Sequence, residues 1–418
     1  MGARASDACS AWRSRRADRI VPRFSGLRLG LLSEKRIGMS DESSAPSNGK
    51  RIGYLDNIRV FLTALVVLHH FAITYGAPGW WFYIEQPVDG LTGAILFPFV
   101  AINQAYFMGF FFLLSAYLLP GSLKRKGRRR FVADRLLRLG VPLVVYFLVL
   151  NPLVFAISSL ASPEAEEVFQ TTLANDPGAL LGTGPMWFVA FLLLLTLVYL
   201  ALPDRSGAAT GRSPIRLTVA NTTIFALGLG LASFAIRIVA PIGTWVAYLV
   251  EPAHAPQYVG LFCLGIVFGT RGWDEEVPRT VWRYWACMLP VSLLVGFGFL
   301  GLILGDDGDP ARAMGGLDAA SFVYALWEHL CCIGIIVLLV RLFRRRLAGP
   351  GPRLQSAALD SYATYIVHPL VIVGLAVGLQ SVALYPLVKF LIFAPIAVLA
   401  SFAVGHLMRS LPGARRVL

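Results

Sequence analysis

The sequence predicts an all-α protein, a polytopic membrane helix bundle of about ten transmembrane helices with both termini cytoplasmic. Three observations predict it. The 418-residue chain is 56% hydrophobic and only 15% charged, with a mean hydropathy of +0.65. A soluble domain so poor in charge could not cover its own surface. Ten apolar runs approach the length that crosses a hydrocarbon core of about 30 Å. The loops between them alternate between basic and acidic or neutral.

In chain order, residues 1–50 are Arg-rich and then Ser/Pro-rich, with no apolar stretch longer than GLRLGLL. That stretch is too short and too basic for a signal-peptide core. It reads as a disordered basic cytoplasmic tail, and Met39 offers an alternative start that would leave 1–38 untranslated. Residues 51–410 form the membrane domain, and 411–418 a second cytoplasmic tail. The spans are expected near 57–77, 93–119, 140–160, 185–203, 217–240, 256–270, 283–304, 319–341, 360–380 and 383–408. The sixth is the shortest.

Orientation follows from the basic loops. KRKGRRRFVADRLLR after span two is the most basic loop, and the positive-inside rule places it in the cytoplasm. The Arg-rich N-terminus and the loops DRSGAATGRSPIR, RGWDEEVPRTVWR and RLFRRRLAGPGPR then fall on the same side. SPEAEEVFQTTLANDPG, the 241–255 loop, GDDGDPARAMGGLD and the 380–385 turn face outward. The formal net charge of +13 therefore sets topology. It is not a nucleic-acid footprint, because no aromatic-basic module accompanies it. Cys9, Cys263, Cys287, Cys331 and Cys332 lack metal-ligand spacing, so no metal site is expected.

Several ionisable residues stand inside apolar spans, where they are costly and tend to be functional. In span one, IRVFLTALVVLHHF, His70 follows Arg59 by eleven residues. That places both on one helical face, about 20° apart and about 16 Å along the axis, so His70 is expected near mid-membrane. His69 points about 100° away. Arg135 and Arg138 are three apart at the cytoplasmic start of span three, hence on one face. Two guanidinium forks there suit phosphate oxygens. Glu328 lies nine residues into span eight, about 14 Å from its outer end. Its depth matches that of His70, which leads to the expectation that the two are in contact. On the outer side, Arg237, Glu251, His254 and Trp187 are candidates for binding an acceptor. Trp80, Trp81, Tyr83 and Trp245 read first as an interfacial aromatic belt, and second as surfaces on which sugars could stack.

Five motifs taken together resemble the acyltransferase-3 family of bacterial integral-membrane acyltransferases. They are Arg59 with His70; Phe112, Ser115 and Leu118, with Ala116 in place of the usual Gly; and Arg135, Arg138, Leu139 and Pro142. Trp187 with Phe188 is the fourth, and Ser361, Tyr362, Tyr365, His368 and Pro369 the fifth. The opening YLDNIRVFLTALVVLHH is similar to the subgroup around the periplasmic-glucan succinyl transferases.

The resemblance implies acyl-CoA as cytoplasmic donor substrate, with no permanently bound cofactor. It also implies a glycan or lipid-linked sugar acceptor on the outer side, no nucleic-acid partner, and a place in the bacterial cytoplasmic membrane. Some branches carry a fused extracytoplasmic domain; the expectation for this sequence is transfer completed within the membrane domain. His70 and Glu328 are expected to be catalytic, with Arg59, Arg135 and Arg138 holding the donor. Ser115, Ser361, Tyr362, Tyr365 and His368 are expected to be structural, His368 bracing span nine. The main rival is a proton-coupled secondary transporter, which would have no need of a phosphate clamp; a non-catalytic scaffold is a third reading.

Overall fold

The computed structural model describes residues 53–85, 89–202, 213–247, 249–272, 276–304, 309–349 and 351–418. The basic tail expected over 1–50 lies outside them. The described chain is helical, with an isolated β-bridge between Val246 and Val250. The principal helices are α1 (Gly53–Thr74), α2 (Gly90–Tyr117), α3 (Leu119–Lys126), α4 (Arg128–Ser159) and α5 (Pro163–Asn175). They continue with α6 (Trp187–Ala201), α7 (Val219–Arg237), α8 (Ala255–Arg271) and α9 (Arg279–Leu304). The last three are α10 (Ala319–Arg346), α11 (Pro352–Gly378) and α12 (Pro386–Ser410).

Among the described residues, nine helices are long and apolar enough to cross a membrane. The tenth expected span is α8, which at 17 residues rises about 26 Å and packs along α2. Gly265 and Gly269 make that packing possible. A Cβ at Gly265 would sit 2.5 Å from the Leu113 carbonyl, and one at Gly269 would sit 2.3 Å from that of Tyr117. Small residues let membrane helices approach this closely.

Burial separates a centre from a rim. In α1 and α10, 67% of the apolar stretch is buried; in α4, α9 and α12 the figure is 22%. The rim helices present side chains such as Leu294 and Leu399 outward, as a lipid-facing surface requires.

Two departures from the sequence expectation affect the site. Helix α4 starts well before residue 140 and contains two π turns, Leu136–Gly140 and Tyr146–Leu150. The loop after it contains α5, whose N-terminus is capped by Ser162 Oγ accepting from Ala165 N at 3.2 Å, with Glu164 and Glu166 in the first turn, where the helix dipole favours them.

The basic helix ends gather at one end of the bundle. Asn57 Nδ2 donates to the Leu347 carbonyl at 2.7 Å, and the Arg344 guanidinium lies 5.4 Å over the Tyr54 ring. Asp360 there holds α12, with Arg409 Nε at 2.5 Å and His406 Nδ1 at 3.0 Å. At the opposite end Asp89 caps α2, accepting from Thr92 N at 2.7 Å and from the Tyr385 hydroxyl. The Tyr385 bond, joined by those from Thr92, holds the Asp89 carboxyl below the usual range.

Candidate active site

His70 lies on the last turn of α1, half-buried, and its ring meets another imidazole. His70 Nδ1 is 3.2 Å from His368 Nε2, and the two rings are near-parallel, meeting edge to edge with centroids 5.1 Å apart. The other ring nitrogen of His368, Nδ1, is 2.6 Å from the Tyr365 carbonyl. A carbonyl only accepts, so that nitrogen carries the proton, and in neutral His368 Nε2 is then a lone pair. The proton between the rings therefore belongs to His70 Nδ1, and His70 Nε2 is left as a lone pair free to accept a proton. This tautomer is the one a general base needs. His69, as expected, faces elsewhere: it is buried with its ring centroid 5.0 Å from that of Phe107.

The segment after α1 folds back over this pair. Trp81 is 5% exposed, and its ring stacks on His70 at 4.1 Å between centroids and 18° between planes. Three anchors hold the segment down. Glu85 N donates to the Thr74 carbonyl at 2.9 Å. Ser158 Oγ of α4 donates to the Phe82 carbonyl at 2.6 Å. Lys389 Nζ of α12, itself fully buried, reaches the Glu85 carboxylate at 2.7 and 2.9 Å. Trp80 is exposed, whereas Trp81, read first as part of an aromatic belt, is buried against His70.

The motif on α11 explains why these groups stay in place. Ser361 Oγ donates to the Ala357 carbonyl at 2.8 Å within the helix. Tyr362 donates to the Arg138 carbonyl at 2.8 Å, and Tyr365 to the Pro185 carbonyl. Phe188 packs edge-on against both Phe112 and Tyr365. Ser115 is partly buried one turn on from Phe112. Four of the five motifs thus meet around α11, and the neighbour that His368 engages is His70 itself.

The three arginines assemble only in part as expected. Arg59 and Arg138 both lie within electrostatic reach of Arg135, so the cluster forms. Arg135 and Arg138 do not share an orientation, however. The Arg135 guanidinium lies 5.0 Å over the Phe131 ring, whereas Arg138 is exposed with Nε 3.4 Å from Asp134. The π turn starting at Leu136 separates them, because its wider turn breaks the three-residue spacing of an α-helix. Arg59 Nη1 is 3.1 Å from Asp56.

Glu328 does not meet His70, and that expectation is corrected. Depth is one coordinate of three, and rotation about the α10 axis turns Glu328 toward α7. There it forms an ion pair with Arg237; the two residues are 1% and 0% exposed. His254 Nε2 is 3.4 Å from Glu328, and His254 Nδ1 is 3.7 Å from Glu251. Glu251 also accepts from Gly243 N. The residues read as acceptor contacts are therefore the partners of the one read as catalytic. Beside them, Trp187 sits between Trp245 and Tyr258, at 6.0 and 5.3 Å between centroids.

The sequence profile of an acyltransferase domain matches residues 52–406. The chain belongs to the acyltransferase-3 family. No curated protein and no solved structure matches it.

Membership makes the chain an acyltransferase and sets aside the transporter and scaffold readings. In an acyltransferase the His70–His368 pair has a direct use, since an attacking hydroxyl must lose its proton. The HP pair at 368–369 was the sequence signal for His368, although nothing in spacing told a brace from a partner. Trp81 carried no comparable signal, because an aromatic residue just past a span end is ordinary at a membrane interface.

Proposed function

We propose that this acyltransferase moves an acyl group from acyl-CoA to a hydroxyl of an extracytoplasmic glycan or lipid-linked sugar in the bacterial cytoplasmic membrane. The observation that carries this reading is the His70–His368 contact at 3.2 Å, on the same helix as Arg59 and opposite a cluster of basic helix ends. The basic end faces the cytoplasm. The donor's phosphates bind Arg59, Arg135 and Arg138, and its thioester arm extends along α1 to His70, about 16 Å away. The acceptor approaches from the other end, past Trp187 and Trp245, whose rings suit the apolar face of a sugar.

The hydroxyl oxygen attacks the thioester carbonyl carbon as its proton passes to His70 Nε2. The carbonyl π pair moves to oxygen. On collapse the C–S bond breaks, its electron pair leaves with sulfur, and His70 returns the proton to the thiolate. The products are an ester and free CoA, with the base regenerated.

Mass spectrometry of envelope glycans from a deletion strain tests this. An acyl group present in wild type, absent in the deletion, restored by the intact gene and not by His70→Ala is the expected result. Glycans unchanged by deletion would overturn the acceptor class. Failure of the purified protein to bind CoA would overturn the donor.

A further inference from the structure

Acyl transfer puts negative charge on the former carbonyl oxygen, and neither of the two imidazoles provides a fixed donor for it. His368 is committed to the Tyr365 carbonyl and to His70, and His70 is the base. We propose that the indole N–H of Trp81 is the oxyanion donor of this active site. The inference rests on the reading of His70 as base.

Trp81 Nε1 is buried and has no hydrogen-bond partner among the described residues. A buried N–H left without an acceptor is costly, so each one calls for an explanation. Other buried polar atoms without partners include His69 Nδ1, Tyr75 Oη and Tyr146 Oη, but none of these rings stacks on His70 within 5 Å between centroids. The Trp81 ring does, at 4.1 Å. Because the two rings are nearly parallel, the N–H lies in the indole plane and does not point into the imidazole face; on this proposal the developing oxyanion sits at that N–H edge, on the carbon attacked next to His70 Nε2.

The donor is also preorganised, which is what makes such a group effective. The anchors at Thr74, Ser158 and Lys389 hold the segment at Phe82 and Glu85, immediately after Trp81. Tryptophan supplies a donor with no acceptor capacity, so it discriminates for the anionic oxygen and does not compete for the hydroxyl proton. In the step described above, the oxygen that receives the π pair takes a hydrogen bond from Nε1–H and releases it when the C–S bond breaks.

The test uses the full chain in nanodiscs, with acetyl-CoA and succinyl-CoA as donors and envelope glycans from a deletion strain as acceptor. Trp81→Phe keeps a stacking ring and removes the N–H. Replacement of Trp81 by β-(3-benzothienyl)alanine keeps the shape as well. Both should lower kcat roughly 100- to 1000-fold with KM for the donor within about threefold and an unchanged melting temperature. If Trp81→Phe lowers the melting temperature, the benzothienyl variant decides. Wild-type kcat in that variant, with His70→Ala inactive, would overturn the donor alone. Full turnover in His70→Ala would overturn the base and the donor together.

Discussion

His70 and His368 are 298 residues apart in the chain, and their facing ring nitrogens are 3.2 Å apart. Because the Tyr365 carbonyl fixes which nitrogen of His368 carries its proton, this contact sets the tautomer of His70 from a helix at the other end of the sequence. His368→Gln retains an acceptor for the His70 proton, and His368→Ala does not. We expect kcat to fall about 10-fold in the first and at least about 100-fold in the second, only the latter reaching the range of general-base catalysis. KM for the donor should stay nearly constant in both. Equal losses in Gln and Ala, with KM rising, would reduce His368 to a packing residue.

His70→Ala should lose roughly 10²- to 10⁴-fold in kcat while inserting and purifying normally. His69→Ala should lose far less, because its ring faces Phe107. Turnover measured on matched amounts of folded protein checks the pair. The reverse ranking would show that the wrong imidazole has been assigned.

Arg135→Ala and Arg138→Ala should weaken CoA binding, and Arg135→Lys should rescue only in part. A lysine offers a point charge without the planar fork and cannot lie over the Phe131 ring as the guanidinium does. Arg138 is exposed and already shared with Asp134, so its loss should be the smaller. Isothermal titration with CoA measures both; unchanged affinity in the double Ala variant would make them topology anchors only.

Glu328→Ala leaves the Arg237 guanidinium buried without its counter-charge. Breaking such a pair costs roughly 3–5 kcal/mol. The double variant Arg237→Met/Glu328→Leu should recover most of that, and its folded fraction should turn over within a few-fold of wild type. Thermal unfolding followed by assay separates the two effects. A stable but inactive double variant would return Glu328 to the mechanism.

Asp89 gives a pH dependence outside the membrane. Its folded carboxyl titrates below the usual value, held there first by the Tyr385 hydroxyl. A depressed carboxylate stabilises fully above the unfolded pKa of about 3.9, and that contribution disappears as pH falls through the lower folded value. Asp89→Asn should therefore lower the melting temperature at neutral pH and flatten its decline below about pH 4. Parallel unfolding curves for variant and wild type across that range would refute the assignment.

Much of this architecture was legible in the sequence. Long apolar runs leave a helix few alternatives in a membrane, so α1, α2 and α10 begin and end within several residues of expectation. Arg59 and His70 were legible because they lie on one helix, where periodicity fixes their relation. Glu328 was misplaced because its partner belongs to another helix, and depth says nothing about rotation. Arg135 and Arg138 were legible as a pair but not in direction, since no residue pattern marks the π turn at Leu136. Trp81 was hidden for a third reason. Its place depends on a loop that returns to the bundle, and the anchors Ser158 and Lys389 lie about 80 and 300 residues further along the chain, beyond any local periodicity.

The returning segment has a further consequence. An activated thioester can react with a sugar hydroxyl or with water, and water is always the more abundant nucleophile. With Trp81 lying on His70 and Lys389 pinning Glu85 from α12, bulk solvent has no direct line to the base from the side of the segment. In the proposed reaction, the partition between acyl transfer and hydrolysis then depends on which nucleophile is admitted, before any bond is broken. On that proposal, a dozen residues that look like a connecting loop tilt the protein toward transfer and away from hydrolysis.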